Sequence, residues 1–223
     1  TPVTGGNVSL FNETDGKAIY PTPVIGMVGV IDDVSKITRH AFVNAGDDIV
    51  LLGANSGELG GSEYLYVTAD LVAGEPPSVD LDGERALQQA VLKMNHEDVL
   101  NSAHDCSEGG LAAALAQCAL GNGEAPLGID VAIDEDLRPV VSLFGESQGR
   151  ILVSVSPENT EQVLALAGHY DVPAQKIGTV TAGDDGFSMN VRGASLSATM
   201  PELADAYFGA IPRIMDAPAG SGA

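Results

Sequence analysis

Ile49-Val50-Leu51-Leu52 is the stretch that most limits how this chain can fold. Four apolar residues in a row leave a strand no polar face, and Gly53 closes the run. Such a segment reads as a compact buried strand. The rest of the sequence supplies its cover. Ala86, Leu87, Ala90, Val91 and Met94 fall on one face of a helix across roughly residues 81–95. Leu111, Ala112, Leu115, Ala116 and Ala119 make the stripe of a second helix, which begins near Ser107 or Gly109 and ends at Gly121-Asn122-Gly123. Strand signals recur at 127–133, 151–155, 176–181 and 187–191, and residues 64–67 read as a short strand or turn. Ser156-Pro157-Glu158 predicts a helix start, with serine as N-cap and proline at the first helical position, running to about residue 168. Pro201 opens a last helix to about residue 211. Strands and helices alternate without a strict βαβ rhythm, so the predicted class is α+β, an α/β sandwich.

The N-terminal stretch is different in kind. Residues 7–12 and 24–31 read as strands joined by a turn around Thr14-Asp15-Gly16-Lys17. Two strands alone are marginal and need a sheet from elsewhere. Residues 1–33 are therefore expected to be the remnant of a truncated domain, 34–47 a linker, 48–215 a whole domain and 216–223 a frayed tail.

Charge and composition exclude several classes. The net charge of -21, with lysine only at Lys17, Lys36, Lys93 and Lys176, repels a polyanion, so no nucleic-acid partner is expected. The hydrophobic content of 44% supports a core. No apolar run approaches the roughly 18–20 residues a membrane span needs, and no membrane partner is expected. Cys106 and Cys118 form no CxxC pair and match no zinc spacing, and Cys118 reads as a buried free thiol in a reducing, cytoplasmic setting.

Three segments can carry chemistry. Gly5-Gly6-Asn7-Val8-Ser9-Leu10-Phe11-Asn12-Glu13 pairs glycines, which let backbone approach a phosphate, with polar side chains that can hold a metal or a ligand edge. The plain alternative is a glycine turn before a strand. Because the sequence opens at Thr1 beside this motif, it reads as the C-terminal fragment of a larger enzyme. His104-Asp105-Cys106-Ser107-Glu108-Gly109-Gly110-Leu111 leads into a helix whose free N–H groups make an anion site, with Asp105 placed for Mg2+ and Ser107 for a phosphate. Equally, Asp105 and Glu108 have the spacing of a capping box, and His104 reads as structural. In Phe144-Gly145-Glu146-Ser147-Gln148-Gly149-Arg150, Glu146, Ser147 and Gln148 can contact a ligand and Arg150 a phosphate or carboxylate. An Arg150–Glu146 ion pair closing the turn is the alternative. No Ser/His/Asp triad, Walker A loop or GxGxxG is present.

Taken together and in this order, GGNVSLFNE, AHDCSEGGLAAALAQCAL and LFGESQGRILVSV resemble the second half of the phosphoribosylformylglycinamidine synthase family, over nearly all of residues 1–215. The resemblance implies that residues 1–33 end an ATP-binding synthetase-like domain and that 48–215 are a C-terminal domain of the aminoimidazole ribonucleotide synthetase type. It implies an ATP-dependent carbon–nitrogen ligase that converts formylglycinamide ribonucleotide, with glutamine-derived ammonia, to the amidine in purine biosynthesis. It assigns Gly6 to ATP, Asn7 to Mg2+ and Ser9 to substrate, and no catalytic residue to this chain. Expected partners are the rest of the synthetase chain, a glutaminase and a small bridging subunit. By the same resemblance Asp105 and Ser107 match an auxiliary nucleotide site, and Glu146-Ser147-Gln148 repeat a substrate signature of the first half. The fragment is expected to be inactive alone, to bind Mg-ATP weakly and to self-associate through the edge left by the missing domain. Two other readings stand beside this one: a non-catalytic structural or interaction module, and another ATP-dependent member of the same superfamily.

Overall fold

A computed structural model describes residues 2–8, 12–20, 22–121 and 123–216. The chain divides into two units, Thr1–Val34 and Ser35–Ala223.

In the first unit, β1 (Glu13–Thr14) and β2 (Lys17–Ala18) form a small antiparallel hairpin. Its turn is Asp15-Gly16, both left-handed at φ 51° and 74°. Asp-Gly suits a two-residue turn whose twist matches the flanking strands. The strand expected at 24–31 is not formed, and the described residues of the one expected at 7–12 are not in a strand. Residues 7, 8 and 12 are outside any strand, 9–11 lie outside the described residues, and 24–31 have no strand pairing. Val24, Ile25, Val28 and Val30 are each about nine-tenths exposed. An apolar run has strand propensity, but without a neighbouring edge its N–H and C=O groups have no ladder to join.

The second unit is built on β3 (Asp48–Leu52), which is buried throughout. After it come α1 (Glu63–Ala69), α2 (Leu81–His96), β4 (Ser102–Asp105), α3 (Gly110–Leu120), β5 (Gly128–Ile133), α4 (Pro139–Phe144) and β6 (Ile151–Val155). The unit continues with α5 (Thr160–His169), β7 (Ala174–Thr181), β8 (Phe187–Val191), β9 (Ala194–Ala198), α6 (Met200–Phe208) and α7 (Ala210–Met215). The sheet order is β4-β6-β3-β7-β5-β8-β9. Every pairing is antiparallel except β5 with β8.

Strand alternation sorts the core into two layers. Ile49 and Leu51 point to one face, where they join Leu152, Ile129 and Val131 beneath Leu111, Leu115 and Cys118 of α3 and Leu143 of α4. Val50 and Leu52 point to the other, where they join Val153 and Val155 against Leu87, Ala90 and Met94 of α2 and Val163 and Ala167 of α5. The four-residue apolar run is apolar because helices cover it on both sides. This is the α/β sandwich expected from the sequence.

Two local expectations are corrected. Residues 64–67 are helical, not extended: Ser62 caps α1 by accepting from the Leu65 N–H, and Tyr64 stacks on Phe144 with ring centroids 5.2 Å apart. Ser156 takes the N-cap position with Pro157 after it, as expected, but of a 3-10 turn, and its hydroxyl makes no cap hydrogen bond. Residues Pro157–Asn159 form a 3-10 turn, α5 starts at Thr160, and the Ser156 hydroxyl accepts from Asn101 instead. The Thr160 hydroxyl donates to the buried Asp48 carboxylate at 2.7 Å, and Lys176 pairs with the same carboxylate at 2.7 Å.

Candidate functional site

Sheet register creates a cavity in the second unit. Asp105 at the end of β4 faces Ile151 at the start of β6, and the Cys106 N–H donates to the Arg150 carbonyl at 3.0 Å. Antiparallel pairing therefore lays the His104–Leu111 segment beside the Phe144–Arg150 segment, although about 40 residues separate them in sequence. Between them lies a cavity of about 410 Å3. Asp105, Cys106, Ser107 and Glu108 form one wall, Glu146, Gln148, Gly149 and Arg150 another, and Glu84, Leu87 and Gln88 of α2 a third.

On the first wall, the Asp105 carboxylate accepts from the Ser107 hydroxyl and lies 3.3 Å from His104 Nδ1. The Ser107 hydrogen bond, ahead of the opposing effect of burial, holds the Asp105 carboxyl below the usual aspartate range. His104 Nε2 is 2.7 Å from Gln117 Oε1 of α3, and the His40 ring packs 5.5 Å away. His104 thus bridges β4 to α3, which is the structural role expected of it. The capping box does not form. The N-cap of α3 is Gly109, left-handed at φ 79°, and no side chain of its own segment caps it.

The second wall is tied into the fold more tightly than its sequence suggested. Glu146 Oε1 accepts the Gly109 N–H at 2.9 Å and the Glu63 N–H at 2.9 Å. The anion site expected at the start of α3 thus holds a carboxylate of the chain itself. No ion pair joins Arg150 to Glu146 among the described residues. Arg150 Nε donates to the Ser147 carbonyl at 3.1 Å and Nη2 to the Gly145 carbonyl at 2.5 Å, while Nη1 is buried without a partner. Ser147 is fully buried; it accepts from the Ser56 N–H and donates to Asn55 Oδ1. Of the three side chains expected to meet a ligand here, Gln148 is exposed and lines the cavity, Glu146 lines it half-buried, and Ser147 does not line it.

Both cysteines are free. Burial pushes the Cys106 thiol up to about 11 and the Cys118 thiol further still. With the ordinary thiol at 9.0, Cys106 at pH 8 carries roughly 100-fold less thiolate. Iodoacetamide should therefore label native Cys106 at least about 100-fold more slowly than the same residue in urea. Equal rates would contradict this burial.

Gly6 and Asn7 lie in the first unit and are exposed. A Cβ added at Gly5 or Gly6 would meet open space, so nothing within that unit requires glycine there. Ser9 lies outside the described residues. Among the described residues no group of three or more His, Cys, Asp or Glu is placed to hold a metal ion, and no helix is long and apolar enough to cross a membrane. Two contributors to the cavity were missed in the sequence, Glu84 and Gln88. They were findable, since they flank Leu87 on the predicted helix.

Comparison with known proteins accords with this fold. Residues 44–189 match the family model "AIR synthase related protein, C-terminal domain". The phosphoribosylformylglycinamidine synthase subunit PurL of Caldanaerobacter subterraneus subsp. tengcongensis is 51% identical over 183 residues, covering 82% of this chain and 25% of that protein. The Moorella thermoacetica subunit PurL is 45% identical over 216 residues, covering 96% of this chain and 29% of that protein. The chain thus spans about a quarter of the length of these relatives. Among solved structures, T. maritima PurL complexed with FGAR superposes with a TM-score of 0.64 at 22% identity, covering 77% of this chain and 30% of that one. The structure of PurLQS from Thermotoga maritima gives 0.59 at 23% identity, with 77% and 28% covered. With a sandwich of the same fold and a family match over most of its length, the chain belongs to the AIR synthase related protein C-terminal domain family and is a homologue of a C-terminal-domain-sized portion of the PurL subunit.

Proposed function

We propose that this chain is part of an ATP-dependent ligase that converts formylglycinamide ribonucleotide to the amidine. The observation that carries this reading is the 51% identity to a subunit PurL, with 45% identity to another extending over 96% of the chain. In the proposed reaction ATP phosphorylates the amide oxygen of the substrate. Ammonia then adds to the activated carbon, and phosphate leaves with that oxygen. Such chemistry rests on positioning and on neutralising phosphoryl charge. A glutaminase and a small bridging subunit would deliver the ammonia.

In this reading residues 1–33 end an ATP-binding domain, 34–47 link, 48–215 form the second C-terminal domain and 216–223 are a tail. Gly6 admits ATP close to the backbone, which is a reason for glycine where the unit itself imposes none. Ser9 contacts substrate. Mg2+ takes several oxygen ligands, usually carboxylates and phosphates. Asn7 fits as one neutral oxygen ligand, and the described residues hold no further cluster for it. When bound, the ion neutralises the transferring phosphoryl group. The remaining ligands belong to other residues of the longer protein, so the chain alone is inactive.

A second reading has its own support. Glu146 and Ser147 are committed to internal hydrogen bonds, which suits a domain that braces a site located elsewhere. Asn7→Ala and Ser9→Ala in the full-length protein separate the two. Under the ligase-site reading each lowers turnover by roughly 100-fold with folding unchanged. Unchanged turnover in both would remove Asn7 and Ser9 from the site and leave the bracing role.

A further inference from the structure

The start of α3 has what a phosphate site needs. The helix has 11 residues, begins at two consecutive glycines and receives no side-chain cap from its own segment, although the Gly110 N–H donates to the Ser107 carbonyl at 3.0 Å. Its first N–H groups lie at the positive end of the helix dipole. Beside it, in the same cavity, Arg150 is 2% exposed and its Nη1 has no partner. A helix N-terminus with a buried guanidinium next to it is chemistry suited to an anion.

The chain places its own anion there. Glu146 Oε1 accepts from Gly109 at the start of α3 and from Glu63 at the start of α1, each at 2.9 Å. One oxygen therefore serves two helix starts. The backbone that carries it has little freedom. A Cβ at Gly145 would lie 2.5 Å from the Val141 carbonyl and 2.8 Å from that of Glu58, and Arg150 grips the Gly145 and Ser147 carbonyls on either side of Glu146. Asp105 and Glu108 add negative charge to the same cavity.

We propose that Glu146 is an autoinhibitory plug: it closes the N-terminus of α3 to phosphate groups, and an entering phosphate must displace it and so release α1 at the same moment. The coupling follows from the shared oxygen. A ligand that takes the Gly109 N–H from Glu146 removes the carboxylate that also anchors the first residue of α1. This inference concerns the second unit alone and stands whether or not the ligase reading does.

The test uses inorganic phosphate and the 223-residue chain, at constant ionic strength. Wild type should show no saturable rise in Tm up to 10-fold more phosphate than half-saturates Glu146→Ala. Glu146→Ala should melt lower than wild type, and phosphate should restore it with saturation, binding at least 10-fold more tightly. Equal phosphate affinity in the two proteins overturns the proposal, as does a folded Glu146→Ala that gains nothing from phosphate. Should Glu146→Ala not fold, Glu146→Gln read by amide NMR decides. The Gly109 and Glu63 amides shifting together with phosphate support the coupling, and a shift of one or neither overturns it.

Discussion

Gly53→Ala should destabilise the second unit by about 3 kcal/mol or more, the upper end of what overpacking costs. A Cβ at this position would lie 1.9 Å from the Gly149 carbonyl oxygen and 3.1 Å from Arg150 Cα. No side chain can swing aside, because the obstacle is backbone. Nor can β3 retreat, since the Gly53 N–H donates to the Pro173 carbonyl at 2.8 Å on its other side. The left-handed φ of 90° adds its own penalty. Gly46→Ala separates the two causes. Gly46 has φ 95°, but a Cβ there meets open space. It should cost only about 1 kcal/mol. Urea unfolding of both variants measures the difference. Similar losses would mean that the contact with Gly149 yields easily and that strand end and cavity wall are not locked together.

That contact also marks the limit of what the sequence tells. Ile49–Leu52, Ile151–Val155 and the α2 stripe were legible because their apolar patterns report burial directly. The polar strands β4 and β9 were missed, as was the six-residue α4. Each is fixed by neighbours rather than by its own pattern. Tyr64 to Val67 reads as a short strand or turn, and a serine cap and a stacked ring accompany the helix it forms. Residues 24–31 erred the other way, for a strand exists only with a partner. The site shows the same division. Both second-unit motifs were found in the sequence, and their meeting was not, because the β4–β6 register is a non-local fact. The commitment of Glu146 to two backbone N–H groups was equally hidden. From spacing alone a nearby arginine is the more obvious partner.

Arg150→Ala should cost about 3–4 kcal/mol, since two charge-assisted hydrogen bonds to buried carbonyls are lost. The opposing effect is real. A guanidinium at 2% exposure with Nη1 unpartnered carries a desolvation cost, and removing it relieves that cost. The carbonyls decide the sign. Those of Ser147 and Gly145 receive Nε and Nη2, and neither residue is exposed enough for water to replace them readily. Arg150→Met keeps most of the volume and donates nothing, so it isolates this term. It should lose about 2–3 kcal/mol. Arg150→Lys restores the charge without the planar fork and cannot serve both carbonyls in their present places, so it should recover less than half of the loss. Denaturant unfolding of the three variants checks the order. A fully stable Arg150→Met would mean that desolvation wins, and the turn from Gly145 to Arg150 would then owe its shape to the hydrogen bonds of Glu146 and Ser147 instead.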